Sequence, residues 1–321
     1  MKKVVVIGGG TGNFAVLSGL KKFDIDLCAI VSMADDGGST GILRDELGVL
    51  PPGDVRQCLV ALSDSSRLMR SLMNYRFETG GLGGHSFGNL LLSALEKVTG
   101  SFDRSVEEAG KILSIKGKVI PVTTNKVSLK MVLNNNQILE GEREIDISKE
   151  VDQGFRSIYL EPYPKAHPSA ISQIMNADLI VLSPGDLYTS LIPNLLVEGI
   201  SEALKETKAK KVFIVNLMNK NGHTTNFKAS DYLREIKRFI GRDVFDYILI
   251  SNSQPSPKLV SIYAEEGSQV ENDLTADGRA ISADVLSTEL KEVQNADIQR
   301  NLIRHDPAKL AEVLMKIVTD L

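Results

Sequence analysis

The sequence predicts an α/β fold: a Rossmann-like, doubly wound, mostly parallel sheet with helices on both faces and a small antiparallel insertion. Three observations support this prediction. Short apolar runs rich in β-branched residues, such as residues 4–7, are typical of strands buried on both faces. Helical patterns separate these runs, as in repeated β-α-β units. Loops rich in glycine and polar residues follow the runs, as expected at the carboxyl edge of a parallel sheet.

The amino-terminal part opens as strand, turn, helix and strand. Residues 4–7 form the first predicted strand, which ends at Gly8. Residues 11–20 carry apolar side chains at helical spacing, and residues 27–31 form the second predicted strand. Further helices are predicted at residues 54–62, 68–75 and 86–98, with residues 107–115 continuing the helical region.

The middle of the chain has a different pattern. Residues 118–133 are richer in valine and threonine, and the following "NNNQILEGE" is typical of a hairpin turn that enters a second strand. We therefore expect an antiparallel insertion or lobe within residues 118–160. The rest of residues 1–321 is expected to form a single α/β domain around it.

The parallel pattern returns in the carboxyl-terminal part. Residues 177–182, 211–215 and 245–250 are predicted strands, and each is followed by a polar or glycine-bearing loop. Because right-handed crossovers bring the carboxyl ends of parallel strands to one edge, these loops are expected to converge with the amino-terminal ones. The predicted helices of this part are residues 192–206, 229–240 and 307–319.

Composition limits the class of protein. The formal net charge of the 321 residues is -4 and the pI is near 5.7, so nothing drives the whole chain toward nucleic acid. Apolar stretches are shorter than the roughly 18 residues of a transmembrane helix, so we expect no membrane insertion. The cysteines, Cys28 and Cys58, lie in predicted apolar elements, which is typical of core thiols in a reducing compartment. The predicted location is the cytoplasm.

A glycine turn follows the first predicted strand. Gly8, Gly9, Gly10 and Gly12 lie between a strand and a helix, where free backbone N–H groups and the helix dipole favour an anion such as phosphate. The dinucleotide fingerprint is incomplete because Asn13 occupies its third glycine position. A phosphate site is therefore favoured over a specific NAD site, and a tight turn required only for packing remains the alternative.

Two adjacent carboxylates, Asp35 and Asp36, follow the second predicted strand. An acid at this place in a dinucleotide fold binds a ribose hydroxyl. Adjacent carboxylates also suit Mg2+, which shares phosphate oxygens of its substrate. The remaining interpretation is that one aspartate caps a turn and the other is solvated.

Four further polar residues lie in or near the glycine-rich loops. Asp54 follows a Pro-Pro-Gly turn and is a predicted helix N-cap. Arg44 and Arg56 are candidates for bidentate phosphate contacts, although an arginine more often pairs with a neighbouring carboxylate. His85 lies in a glycine loop rather than on an apolar face, which favours a site role.

Several motifs together indicate a family. "GGGTG", "DDGGSTG", "LPPGDVRQCLVAL", "HSFGNLL", "ADLIVLSPGDLYTSLIPNLLV", "NLM" and "IRHDPAKLA" span residues 8–311. In this order they resemble the YvcK-type gluconeogenesis factors, relatives of the 2-phospho-L-lactate transferase of deazaflavin cofactor synthesis. The chain departs from the family pattern at Ile42, where an arginine is expected, and at Asp186, where the family usually has serine.

The resemblance implies a cytoplasmic protein that binds a nucleotide or UDP-sugar, notably UDP-N-acetylglucosamine, and serves carbon metabolism and the regulation of cell shape. It also implies contacts by motif. The nucleotide would be lined by Gly9, Gly10, Thr11 and Gly12, and ribose or a metal would be held by Asp35 and Asp36. The phosphates would be faced by Ser86 and Asn89, and the ligand would lie beside Gly185, Tyr188 and Thr189. Asn216 would reach the edge of the ligand, and Arg304 would contact sugar or phosphate.

Two hypotheses for function follow. The first is a regulatory protein that senses a UDP-sugar without turning it over. The second is a Mg2+-dependent transferase that moves a phospholactyl group from a nucleotide-activated donor to a deazaflavin. We favour the first, because no general base paired with a nucleophile is visible in the sequence. NAD is a surrogate ligand to test, and we expect a homo-oligomer.

Overall fold

The computed structural model describes residues 1–288 and 303–321. Its strands form a seven-stranded sheet and a separate three-stranded sheet. The strands are β1 (Lys3–Gly8), β2 (Asp26–Val31), β3 (Lys118–Pro121), β4 (Ser128–Leu133), β5 (Ile138–Glu140), β6 (Phe155–Glu161), β7 (Leu179–Leu182), β8 (Lys210–Ile214), β9 (Tyr247–Ser251) and β10 (Ala280–Ala283).

The large sheet is parallel throughout and has the order β10-β9-β8-β7-β1-β2-β3. Strand β1 lies in the interior, where Val4 pairs with Leu27 of β2 on one side and Leu179 of β7 on the other. All residues of β1 after Lys3 are buried, because helices cover both faces of a sheet of this kind. The prediction of a doubly wound parallel sheet is confirmed.

Helices connect the strands and cover the sheet. Helix α1 packs against α3 and α13, which brings an early and a late part of the chain together beside β1. The helices are α1 (Gly10–Leu20), α2 (Gly38–Leu47), α3 (Gly53–Leu62), α4 (Arg67–Asn74), α5 (Phe87–Thr99), α6 (Phe102–Ile112), α7 (Glu142–Ile147), α8 (Pro168–Met175), α9 (Ile192–Leu195), α10 (Ile200–Glu206), α11 (Ala229–Ile240), α12 (Pro257–Tyr263) and α13 (Pro307–Thr319).

The three-stranded sheet is antiparallel, with the order β5-β4-β6. Leu129, Met131 and Leu133 of β4 are buried and alternate with less buried residues, the pattern of a strand with one face on the core. Within the range 118–160 that we proposed as an insertion, Lys118–Pro121 pairs with β2 in the large sheet, and the antiparallel sheet begins at Ser128. Helix α7 follows β5 directly, so the small sheet positions α7.

Two local predictions are corrected by the structure. The single helix predicted at residues 192–206 is divided into α9 and α10, and Gly199 between them has a φ of 98°. A positive φ cannot continue an α-helix, and glycine adopts it without a steric penalty. Asp54 was predicted to cap α3, but Pro52 occupies the N-cap position and Asp54 lies inside the first turn.

Both Cys28 and Cys58 are free and buried in the core. Across residues 1–288 and 303–321, no helix is both long enough and apolar enough to cross a lipid bilayer.

Candidate functional site

A large cleft opens at the carboxyl edge of the parallel sheet. Its volume is about 960 Å3, within the usual range for small-molecule sites. The loops after β1, β7 and β8 form its floor, and α3, α7 and the segment before α13 form its walls. Ligands of open parallel sheets bind at this edge, so the cleft is the candidate site.

The predicted site residues fall into two groups. One group lines the cleft, and the other lies outside the lining, in the loops and helices behind it. The lining group is Gly9, Gly10, Thr11, Gly12, Gly185, Asn216 and Arg304. The second group is Asp35, Asp36, Ser86, Asn89, Tyr188 and Thr189.

The glycine turn after β1 is shaped by neighbouring protein atoms. A Cβ at Gly12 would overlap the carbonyl oxygen of Pro184, so the loop after β7 can approach α1 only because residue 12 is glycine. The backbone N–H of Gly10 donates a hydrogen bond to the carboxyl group of Asp54. One amide at the start of α1 is therefore already paired with an acid of the protein.

Asn216 fixes the loop after β7. Its side-chain Oδ1 accepts a hydrogen bond from the Gly185 N–H at 3.1 Å, and its Nδ2 donates to the Gly185 carbonyl at 2.8 Å. These two hydrogen bonds resemble the backbone pairing of neighbouring strands, and they join the loop after β7 to the loop after β8. Asn216 therefore sets the position of Gly185 in the wall of the cleft.

Asp35 and Asp36 have separate partners behind the cleft. Asp35 Oδ1 accepts a hydrogen bond from the Gly37 N–H at 2.9 Å. Asp36 Oδ1 accepts from the Arg143 N–H at 2.7 Å, and its Oδ2 lies 3.8 Å from Nη1 of Arg44. Each carboxylate thus joins a different part of the chain, and their shared role in binding ribose or Mg2+ stays a prediction.

Buried acids gather beside the cleft. Burial, followed by the charge of Asp35, raises the pKa of Asp54 to about 7 and that of Glu142 to about 9. Burial also raises the pKa of Asp35. Near neutral pH these groups hold protons more readily than ordinary carboxyls, because their negative charges would face each other in a poorly solvated place.

Ser86 and Asn89 belong to the beginning of α5. Ser86 is its N-cap and accepts a hydrogen bond from the Asn89 N–H at 3.2 Å. The Asn89 side chain donates to Ser39 Oγ at 3.3 Å, and Ser39 Oγ lies 2.9 Å from Nδ1 of His85. His85 is buried in this network, so the structure places it in a polar cluster behind the cleft.

Tyr188 and Thr189 lie in a π-helical turn, Leu187–Leu191, that follows the loop after β7. The Tyr188 hydroxyl donates to Glu235 at 3.3 Å, and its ring meets Phe155 edge to face. Thr189 is buried and its Oγ1 has no hydrogen-bond partner among the described residues. Both side chains help to pack the turn that carries Gly185.

Arg304 and His305 enter the cleft from the segment before α13. The Nε of Arg304 is buried and has no hydrogen-bond partner within the described part of the chain. Burial lowers the pKa of His305 to about 4, and its ring accordingly stays neutral near pH 7. A donor without an acceptor in a cleft is costly in isolation and suits an oxygen-rich ligand.

Two lining residues, Lys220 and Glu142, were not assigned to the site from the sequence. Lys220 Nζ bonds to Asp146 and lies 3.2 Å from Asp186, so it joins three segments of the wall. Glu142 comes from the short helix after β5. Neither carries a local motif, because their roles depend on how the small sheet packs against the large one. Among the residues that the structure describes, no group of three or more His, Cys, Asp or Glu is placed to hold a metal ion.

The fold and the site together define an α/β protein with a ligand cleft at the carboxyl edge of a Rossmann-like sheet. Comparison with known proteins refines this class. Residues 4–291 match the family described as 2-phospho-L-lactate transferase CofD. The chain is similar to the gluconeogenesis factor of Bacillus subtilis, with 36% identity over 99% of this chain and 98% of that protein.

Two more relatives agree. The gluconeogenesis factor of Halalkalibacterium halodurans is 40% identical over 98% of this chain and 96% of its own length. A crystal structure of a UPF0052-family protein from Bacillus halodurans has a TM-score of 0.88 and 40% identity, covering 98% of this chain and 100% of that chain. The chain therefore belongs to the CofD family, and its relatives within that family are gluconeogenesis factors.

Proposed function

We propose that this protein is a cytoplasmic gluconeogenesis factor that binds a nucleotide sugar, UDP-N-acetylglucosamine, in the cleft and acts in the regulation of carbon metabolism and cell shape. The observation that carries the proposal is the cleft itself. It combines glycine backbone at the start of α1, a Gly185 loop fixed by Asn216, and the Nε of Arg304, which has no hydrogen-bond partner among the described residues. Backbone groups fixed in place suit the polar edges of a nucleotide sugar, and Arg304 suits its oxygen atoms.

The relatives support the regulatory part of the proposal. Proteins named gluconeogenesis factor match this chain over nearly its whole length. That name indicates a role in carbon metabolism. In the proposed role, bound nucleotide sugar stabilises one arrangement of the loops after β7 and β8, and the protein reports its concentration without turning it over.

A calorimetric titration tests ligand binding. The purified protein is titrated with UDP-N-acetylglucosamine, UDP, GDP and NAD, each with and without Mg2+. Micromolar binding of the UDP-sugar without Mg2+ is expected, and Arg304→Gln should weaken it about tenfold or more because a charged donor is lost. Arg234→Gln is the matched control, since Arg234 is an exposed residue of α11 and does not line the cleft. If no nucleotide binds the wild type, the proposal fails.

The match to the CofD family favours a second candidate, a Mg2+-dependent transferase that uses a nucleotide-activated donor and a deazaflavin. Asp35 and Asp36 are the predicted ligands, and the buried carboxyl of Asp54 is sensitive to the charge of Asp35. Carboxyl oxygens fit Mg2+, and substrate phosphates commonly complete its coordination. When bound, the ion would offset phosphate charge, while Asn216 would keep the Gly185 loop in place.

The two candidates give different results in one assay. The transferase requires GDP to bind only when Mg2+ is present, together with turnover of a phospholactyl donor that Asp35→Asn or Asp36→Asn abolishes. The sensor requires UDP-sugar binding without turnover. Turnover that depends on these carboxylates would replace the first proposal with the second.

A further inference from the structure

Arg56 is a cation in the wall of the cleft that makes no ion pair within the described residues. Its Nε donates to Asn89 Oδ1 at 2.9 Å, and its Nη1 donates to Asn74 Oδ1 at 2.5 Å. A longer bond from Nη1 reaches the Met73 carbonyl at 3.5 Å. All of these acceptors are uncharged, and a partly buried charge with only uncharged partners is costly.

Arg44 shows the contrasting arrangement. Its guanidinium lies 3.0 Å from Asp45 and 3.8 Å from Asp36, so it has carboxylates on the protein itself. Among residues 1–288 and 303–321, no carboxylate lies at that range from Arg56. Burial, followed by the charge of Arg76, lowers the pKa of Arg56 to about 10, and the more distant charges of Asp54 and Asp35 offset only part of this effect. The site thus keeps a cation in an unfavourable setting, as binding sites for anions do before the anion arrives.

The orientation of the guanidinium is fixed by its surroundings. Asn89 turns Oδ1 toward Arg56 because its Nδ2 donates to Ser39 Oγ at 3.3 Å. Ser39 Oγ in turn lies within hydrogen-bond distance of His85 Nδ1, at 2.9 Å. A Cβ at Gly88 would come within 2.6 Å of Arg56 Cδ, so a glycine keeps the path of the side chain open.

One edge of the guanidinium is left for a ligand. Its Nη2 makes no hydrogen bond within residues 1–288 and 303–321, and Arg56 lines the cleft. At the start of α1, the Gly10 N–H already donates to the Asp54 carboxyl, so this amide is not free for an anion. A planar guanidinium matches the geometry of an oxyanion better than any other side chain.

We propose that Arg56 binds an oxyanion of the cleft's ligand, and that Asn74 and Asn89 hold it ready as an uncharged cradle. The proposal deepens the proposed function. It rests on that function only for the identity of the oxyanion, which is the diphosphate if the ligand is a UDP-sugar. Amides are required in the cradle because a carboxylate at either place would pair with Arg56 and compete with the ligand.

The first experiment removes the cation. Wild type, Arg56→Gln and the control Arg70→Gln are titrated by calorimetry with UDP-N-acetylglucosamine and, separately, with sodium pyrophosphate. Arg70 donates to the Ser65 carbonyl and does not line the cleft, so its variant loses the same charge elsewhere. Arg56→Gln should weaken both ligands about 10- to 100-fold, and Arg70→Gln should leave them unchanged.

The second experiment keeps Arg56 and changes its cradle. Asn74→Asp places a carboxylate at the acceptor of Nη1 and should weaken pyrophosphate at least about tenfold, whereas Asn74→Ser should weaken it much less. This pair remains informative if Arg56→Gln does not fold. Malonate serves as a carboxylate probe. If the wild type binds malonate instead of pyrophosphate, and Asn74→Asp no longer binds malonate, the oxyanion site is supported and its ligand group is a carboxylate.

The outcomes separate this proposal from the proposed function. Pyrophosphate bound by the wild type and lost in both variants supports the role of Arg56 even if the UDP-sugar does not bind. UDP-sugar bound equally by the wild type, Arg56→Gln and Asn74→Asp overturns the role of Arg56 and leaves the proposed function standing. A wild type that binds neither pyrophosphate nor malonate also overturns it.

Discussion

Asn216 and Gly185 exchange two hydrogen bonds across the cleft floor, from the Gly185 N–H at 3.1 Å and to the Gly185 carbonyl at 2.8 Å. One side chain thus replaces a strand partner for a loop that has none. The pairing thus links the loop after β7 to the loop after β8. Its loss should affect both stability and ligand binding.

Asn216→Asp tests this pairing. Aspartate still accepts from the Gly185 N–H, but its second oxygen repels the Gly185 carbonyl. We expect the free energy of unfolding to fall by about 1–3 kcal/mol and the affinity for UDP-N-acetylglucosamine to fall as well. Asn176→Asp is the control, because Asn176 also donates to a backbone carbonyl but lies away from the cleft. Equal losses in urea titrations of the two variants would contradict a special role for Asn216.

Gly12→Ala tests the close approach of the loop after β7 to α1. The new methyl group would overlap the Pro184 carbonyl oxygen, so helix and loop must separate. We expect a loss of about 1–3 kcal/mol in the free energy of unfolding, the usual range for overpacking. Gly278→Ala is the control, since a Cβ there meets no atom within 4 Å. A stable Gly12→Ala variant would show that this contact is not tight.

Glu142 should make the protein less stable as the pH rises. Its folded pKa of about 9 lies above the unfolded value of 4.5, so its favourable contribution is present below about pH 4.5 and is lost as the pH rises toward 9. At pH 8, Glu142→Gln should therefore raise the free energy of unfolding, by about 1–3 kcal/mol after allowance for solvent screening.

The control for this prediction is Glu144→Gln on the same helix. Glu144 is exposed and accepts a hydrogen bond from the Glu140 N–H at 2.8 Å, so no gain is expected from its replacement. Urea unfolding at pH 5 and pH 8 measures both variants. If the gain in unfolding free energy of Glu142→Gln does not increase with pH, ionisation of Glu142 is not its cause.

His305 gives a pH dependence of the opposite sign. Its folded pKa of about 4 lies below the unfolded value of 6.5, so its contribution is present above about pH 6.5 and is lost as the pH falls toward 4. The full loss is about 3 kcal/mol. His305→Asn cannot gain a proton in this range, and the difference in unfolding free energy between wild type and variant should shrink as the pH falls. Parallel stability curves from pH 4 to 7 would rule this out.

The fold was predictable because its signals are local. The run of valines in β1 and the apolar residues 179–182 of β7 identify buried parallel strands without any knowledge of their partners. Ser86 before α5 is a helix start that sequence rules recognise. The break between α9 and α10 also has a local signal, Gly199, whose positive φ ends the helix.

The site was less predictable because its contacts are distant in sequence. Asp54 was assigned to the cap of its own helix, whereas its carboxyl accepts from Gly10 of α1. Arg56 and Arg44 are the same residue type, yet Arg56 has amide partners and Arg44 has carboxylate partners. Only the packing of α4 and α5 decides this difference. Local propensity contains no information about these pairings.

The place of β1 in the sheet has a consequence for biosynthesis. The Lys3 N–H donates to Asp178 at 2.7 Å although the two residues are 175 positions apart in the chain. At ordinary rates of translation, roughly 10 to 35 s pass before the ribosome has made the partner of the first strand. During that interval one long edge of β1 is unpaired, and contacts of such separation form slowly. A nascent chain of this protein is therefore an expected client of molecular chaperones until β7 emerges.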